Sequence, residues 1–237
     1  MARAPGCLAG VGPALRVFEL VDRRLATGAI HLDGSVVAAD TVIASVRGPT
    51  RAILAGERVA LNLLGHLSGV ATATRALVER VAGTRARILD TRKTTPLWRA
   101  LEKRAVAAGG GMNHRMGLYD AVLIKDNHVR AIGSVAEAVR MARARVGPNM
   151  HVEVEVERLS DLEPAIQAGA DIVMLDNMPP ARMRKAVEIA RGRCALEASG
   201  GVTLANVRRI AETGVDFISV GWITHSAPAL DVALDFV

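Results

Sequence analysis

The apolar positions of this chain change rhythm near residue 87. Before it the pattern is mixed. Leu15, Phe18 and Val21 recur at near-helical spacing and predict a helix within residues 13–23. Ala29-Ile-His-Leu, an Asp33-Gly34 turn signal and Ser35-Val-Val then predict a hairpin. A further strand is expected over residues 41–46, stopping at Gly48-Pro49. Residues 50–82 carry a helical pattern, with Gly65 and Gly69 as the expected breaks between two helices.

From residue 87 onward the order becomes strand, loop, helix, repeated. Short apolar strands are expected at 86–90, 121–124, 152–156, 171–175, 194–198 and 217–220. Amphipathic helices fall between the later ones: Val135, Val139, Ala142 and Val146 share one face, and so do Met183, Ala186, Val187 and Ala190. Strands rich in Val, Ile and Leu alternating with helices predict an α/β fold built on a parallel sheet. The rhythm is compatible with a closed barrel and with an open sheet. In both, ligands bind at the carboxyl ends of the strands.

Composition narrows the function classes. The chain has 237 residues, 50% hydrophobic and 23% charged, which excludes a disordered tail and leaves ample sequence for a real core. No apolar run spans a bilayer uninterrupted, so no membrane partner is expected. The opening, broken by Pro5, Gly6, Gly10, Gly12 and Pro13, does not resemble a signal peptide. Two cysteines, Cys7 and Cys194, form neither a disulfide framework nor a metal knuckle, and a cytoplasmic location is the expectation. The net charge of +6 raises a nucleic-acid reading. Against it, the cations are 26 Arg and 4 Lys without a basic run, and aromatics are only 3%, too few for base-stacking platforms.

The strand ends carry the chemistry. Asp90-Thr-Arg-Lys-Thr-Thr-Pro follows the first of the six strands and Lys125-Asp-Asn-His the second. Glu153, Glu155 and Glu157 alternate along the third and therefore share a face. The fourth ends in Asp176-Asn177, the fifth in Glu197-Ala-Ser-Gly-Gly, and the last in Gly221-Trp-Ile-Thr-His. A loop before residue 121 adds Gly109-Gly-Gly-Met-Asn-His114-Arg115. Arg92, Lys93, His114, Arg115 and Lys125 suit a ligand with more than one carboxylate or phosphate. Glu155 and Asp176, with no clustered Cys or His, suit Mg²⁺. Ser199-Gly200-Gly201 precedes Thr203, a candidate N-cap, and such a turn would cradle a phosphate. Arg58, on an otherwise apolar helix, reads by itself as a snorkelling surface side chain. A sugar phosphate fits the pairing of cations with Mg²⁺-type acids.

At these residues the sequence closely resembles the quinolinate phosphoribosyltransferase family. The matching segments are Glu57-Arg-Val-Ala-Leu-Asn, Leu67-Ser-Gly-Val-Ala-Thr, Asp90-Thr-Arg-Lys-Thr-Thr-Pro, Gly109-Gly-Gly-Met-Asn-His-Arg-Met-Gly-Leu, Leu123-Ile-Lys-Asp-Asn-His, Glu153-Val-Glu, Met174-Leu-Asp-Asn, Ala198-Ser-Gly-Gly and Thr213-Gly-Val-Asp-Phe-Ile-Ser-Val-Gly with Thr224-His-Ser. They stand in the family's order and cover nearly the whole chain. The resemblance implies an N-terminal α/β sandwich over 1–67, shortened at its start, and a C-terminal open α/β-barrel over 68–237 whose end may rejoin the sandwich. It implies conversion of quinolinate and phosphoribosyl pyrophosphate to nicotinate mononucleotide, pyrophosphate and CO₂, with Mg²⁺, in NAD biosynthesis. Arg92, His114, Arg115 and Lys125 would hold the quinolinate carboxylates and Lys93 the diphosphate. Glu155 and Asp176 would contact ribose and metal. Ser199, Gly200, Gly201, Gly221 and His225 would surround the 5′-phosphate, and Arg58 would enter the neighbouring subunit's site in a homodimer. The alternatives are a paralogue acting on another aromatic acid and a non-catalytic anion-binding descendant. Leu97 stands where the family usually has a Gly that would supply a special backbone angle or close approach, and Trp222 where it usually has a small residue.

Overall fold

The computed structural model describes residues 1–237. The chain runs β1 (Gly6–Cys7), α1 (Val11–Val21), β2 (Ala26–Ala29), β3 (Val36–Val37), β4 (Ala44–Arg47) and α2 (Thr50–Arg80). There follow β5 (Arg87–Leu89), α3 (Arg99–Ala108), β6 (Val122–Ile124), α4 (Asp126–Ile132), α5 (Val135–Arg145) and β7 (Val152–Val156). The last elements are α6 (Leu162–Gln167), β8 (Ile172–Asp176), α7 (Pro180–Ala190), β9 (Ala195–Ser199), α8 (Val207–Ala211), β10 (Phe217–Ser219) and α9 (Trp222–His225). Two compact units share this chain: Met1–Val78 with Lys93–Asn113 and Gly221–Val237, and Glu79–Arg92 with His114–Val220.

The first unit holds two small antiparallel sheets, β1 with β3 and β2 with β4. The expected hairpin around Asp33-Gly34 does not form. Each arm finds a partner elsewhere, Val36 opposite Cys7 and Ala29 opposite Ala44. Asp33 instead caps α1 by accepting the Val11 N–H at 3.0 Å. The expected pair of helices over residues 50–82 is one helix of 31 residues. Gly65 and Gly69 do not break it, because their missing side chains admit another strand of backbone. Leu230 N–H donates to Gly65 C=O at 2.9 Å, and a Cβ on Gly69 would collide with Pro228 C=O. Leu8, Phe18, Ile43, Ile53 and Leu230 belong to one buried cluster in this unit.

The second unit is built on a six-stranded sheet of order β5-β10-β9-β8-β7-β6, parallel throughout. The six strands coincide with those expected from sequence to within a residue or two at each end. β5 and β6 occupy the two ends of the hydrogen-bonded order, so the ladder does not close on itself. Val154, Val173, Leu175 and Ile218 are fully buried, as strands covered on both faces require. The crossover helices carry local start and stop signals: Ser134 accepts the Glu137 N–H ahead of α5, Pro180 opens α7, and Gly133 closes α4 at φ 89°. No helix is long and apolar enough to cross a membrane.

Candidate active site

Because all six strands of the second unit run the same way, their carboxyl ends collect the residues that follow them. Arg92, Lys125, Glu155, Asp176 and Ser199 all stand there. Register places Glu155 beside Met174 and Asp176 beside Ser199, so acids and hydroxyl come from adjacent strands. Glu153 and Glu155 alternate along β7 and so share a face, Glu153 buried and Glu155 half-buried; Glu157 lies just past the strand and is exposed.

Like charges are crowded at two points. Arg115 is half-buried; burial, and then the neighbouring charge of Arg92, lower its pKa. Its Nη1 donates to Ala121 C=O at 3.2 Å. Glu155 shows the converse: burial raises its pKa, Lys125 opposes that rise, and Asp176 adds to it. Lys125 Nζ lies 3.5 Å from Glu155 Oε2, and Asp176 Oδ2 accepts from Asn177 Nδ2 at 2.8 Å. Two repelling guanidiniums favour an anion, and two repelling carboxylates a hard cation. The donor set of Glu155 and Asp176 is all oxygen, which fits Mg²⁺.

The Ser199-Gly200-Gly201 turn has a specific lock. Gly200 and Gly201 both have positive φ, 94° and 60°, and a Cβ on Gly200 would collide with Asn177 Oδ1. Asn177 N–H in turn donates to Ser199 C=O at 2.9 Å. The helix expected to start at Thr203 starts instead at Val207, with Asn206 as its cap, and has five residues. Residues 203–206 form a turn closed by Thr203 N–H on Asn206 Oδ1 at 2.8 Å, which displaces the helix start by one turn.

Arg58, Lys93, Gly221 and His225 belong to the first unit. There Lys93 C=O accepts from Thr224 Oγ1 at 2.7 Å, tying the Lys93 loop to α9, which Gly221 precedes and His225 ends. His225 is exposed, with Nδ1 2.6 Å from Ser226 Oγ, and Trp222 is half-buried. Arg58 is exposed on α2, in a stretch that also exposes Leu54 (53%) and Val59 (54%).

Three acids escaped sequence reasoning as site builders. Glu102 is fully buried, accepts the Thr95 N–H at 3.0 Å and meets His66 Nε2 at 2.7 Å, so it anchors the Thr-Arg-Lys-Thr-Thr-Pro loop. Asp90, also fully buried, accepts the His114 N–H at 2.8 Å. Glu197 is fully buried 3.7 Å from His114 Nε2, and its pKa is pushed up to about 8 by burial and then by the charge of Glu153. The sequence did place Glu197 in the strand-end run Glu197-Ala-Ser-Gly-Gly, but gave it no role of its own.

Comparison with known proteins agrees with this geometry. Residues 1–68 match the N-terminal domain model of quinolinate phosphoribosyl transferase, and residues 70–235 match its C-terminal domain model. A probable nicotinate-nucleotide pyrophosphorylase (carboxylating) of Bacillus subtilis is 45% identical over 99% of this chain and 81% of its own length. The human nicotinate-nucleotide pyrophosphorylase (carboxylating) is 40% identical over 98% of this chain and 80% of its own. The solved structure of the nicotinate-nucleotide pyrophosphorylase from Francisella tularensis superposes with a TM-score of 0.94 at 44% identity, covering 98% of this chain and 82% of that one. With both domain models matched along its length, and relatives this similar covering it almost whole, the chain belongs to the quinolinate phosphoribosyltransferase family.

Proposed function

We propose that this protein is a phosphoribosyltransferase that joins quinolinate to phosphoribosyl pyrophosphate, giving nicotinate mononucleotide, pyrophosphate and CO₂ for de novo NAD synthesis. What supports the reading beyond family membership is the pairing of two crowded cations with two crowded acids at the carboxyl ends of one parallel sheet. Quinolinate carries two adjacent carboxylates. Arg92, Arg115 and Lys125 bind them; burial and then the charge of Arg92 lower the Arg115 pKa, and a bound anion offsets both. His114 completes the quinolinate side, Lys93 serves the diphosphate, and Ser199, Gly200, Gly201, Gly221 and His225 surround the 5′-phosphate.

The ring nitrogen of quinolinate is already a nucleophile, so the protein's task is placement. The C1–O bond to pyrophosphate breaks and the N–C1 bond forms through a positively charged sugar. Glu155 and Asp176 stabilise that charge from the ribose side. They would also hold Mg²⁺, which when bound neutralises the departing diphosphate. Once ribosylated, the ring is cationic and accepts the electron pair left when CO₂ departs; a proton then fills the vacated carbon. No general base is needed. The same reading places the protein in the cytoplasm as a homodimer, with Arg58 reaching the partner's site from a helix that exposes Leu54 and Val59 beside it.

The test is direct. Purified protein given quinolinate, phosphoribosyl pyrophosphate and Mg²⁺ is expected to release nicotinate mononucleotide and CO₂ in equal amounts. Absence of both products, or faster ribosylation of another aromatic acid, would refute the assignment.

A further inference from the structure

We infer that Glu102 is a positioning residue for the diphosphate of phosphoribosyl pyrophosphate: with one oxygen on the Thr95 N–H and the other on His66, it fixes the segment from which the Lys93 side chain departs. The inference rests on the functional reading above for the role of Lys93, and on geometry for the rest.

Residues 93–95 belong to neither helix nor strand, so side-chain bonds must set their path. Each of them is held. Lys93 C=O accepts from Thr224 Oγ1 at 2.7 Å, and Thr94 Oγ1 accepts from Arg99 Nε at 3.1 Å. Thr95 donates its N–H to Glu102 Oε2 at 3.0 Å and accepts from the Trp98 N–H at 3.0 Å. All of these residues lie within the first unit. Among these acceptors Glu102 is the carboxylate, and it is fully buried. A carboxylate on a backbone N–H makes a bond about twice as strong as a neutral acceptor does.

Glu102 is itself fastened. Its N–H donates to Trp98 C=O at 2.9 Å, which fixes it in the opening turn of α3. Its Oε1 meets His66 Nε2 at 2.7 Å, and the two atoms share one proton. His66 stands in the middle of α2, next to Gly65, where the Leu230 N–H is bonded. The Trp98 ring meets the His66 ring edge to face, with centroids 5.2 Å apart. One buried carboxylate therefore ties α2, α3 and the Lys93 segment together.

Stability alone does not call for an acid there. A leucine would fill a similar volume without the cost of taking a carboxylate out of water. What the acid adds is direction: it holds one loop N–H at one place. Lys93 ends in a flexible four-carbon stem, so the backbone it leaves from is the part that the protein can set in advance.

The experiment follows the diphosphate without quinolinate. Calorimetry measures the affinity of the whole protein for inorganic pyrophosphate with Mg²⁺. Glu102→Gln keeps an oxygen for the Thr95 N–H and turns its amide to His66 Nε2, so binding should stay within about threefold of the unaltered protein. Glu102→Leu removes both bonds and should weaken binding about tenfold, the worth of one lost hydrogen bond to a charged group. Equal losses in the two variants, or full affinity in Glu102→Leu, would overturn the inference. Combination with Lys93→Ala shows the route. Glu102→Leu should cost nothing further once Lys93 is gone, whereas additive losses would mean that Glu102 does not act through Lys93. Should Glu102→Leu fail to fold, His66→Phe takes its place in both comparisons. It keeps a ring against Trp98 but releases Oε1, and it should weaken binding about threefold; full affinity there would equally overturn the inference. In turnover, Glu102→Leu should raise the KM for phosphoribosyl pyrophosphate and leave that for quinolinate unchanged. Failure of the unaltered protein to turn over quinolinate would sink the functional reading while leaving pyrophosphate binding measurable. Additive losses in a protein that does turn it over sink this inference alone.

Discussion

Replacing Leu97 by glycine is expected to stabilise the protein. Thr95-Pro96-Leu97-Trp98 is a tight turn in which the Trp98 N–H donates to Thr95 C=O at 3.0 Å. Proline stands in its second place, and the third, Leu97, has φ +68°. That combination is the type II turn, whose third position favours glycine. A Cβ in the left-handed region costs about 1–2 kcal/mol. Leu97 recovers nothing by packing, since it is fully exposed. Against the gain stands the extra freedom of glycine in the unfolded chain, about 0.4–1 kcal/mol. The net is about 0.5–1 kcal/mol, or a rise in Tm of about 1–4 °C for a chain of this size. Scanning calorimetry of Leu97→Gly beside Leu97→Ala isolates the backbone effect, because alanine keeps the Cβ and should leave Tm almost unchanged. A glycine variant no more stable than the alanine variant would show that the turn stores no strain at this position.

Two other substitutions probe the interior. Glu197 titrates near 4.5 when unfolded and near 8 when folded, so its contribution to stability is complete below pH 4.5 and is lost as pH rises to 8. Glu197→Gln should flatten the fall in denaturation midpoint between pH 5 and 8; an unchanged slope would place the buried proton elsewhere. Gly69→Ala should lower stability by about 1–3 kcal/mol through overpacking against Pro228, while Gly12→Ala on α1, with open space around it, should raise it by about 0.4–1 kcal/mol. Paired urea titrations compare them, and a stabilising Gly69→Ala would mean that the crossing segment is free to move aside.

The second unit was legible because its strands are short, apolar and separated by helices with their own caps. β7 and β8 fall where hydrophobic runs put them, and the polar residues after them gather at one end through topology alone. Reading failed where distant backbone decides local structure. Gly65 and Gly69 look like helix breakers until the segment around Leu230 is known to lie against them. Asp33-Gly34 is a sound turn signal, yet its flanking residues pair with Cys7 and Ala44. The site cations were visible at strand ends. Their supports were not: Glu102, Asp90 and Glu197 become significant only through what they meet in space. The absence of glycine at position 97 did carry a usable signal, since the special backbone angle expected there is present and a leucine adopts it.

The pairing of β5 with β10 joins Arg87 to Phe217, and the first unit likewise closes only when Leu230 reaches Gly65. A ribosome delivers these partners in sequence, so during synthesis the early elements wait for residues 217–230 before either unit can finish. Nascent chains paused short of residue 217 should therefore be protease-sensitive throughout and dependent on holding chaperones. Full protection is expected to arrive late and for both units together.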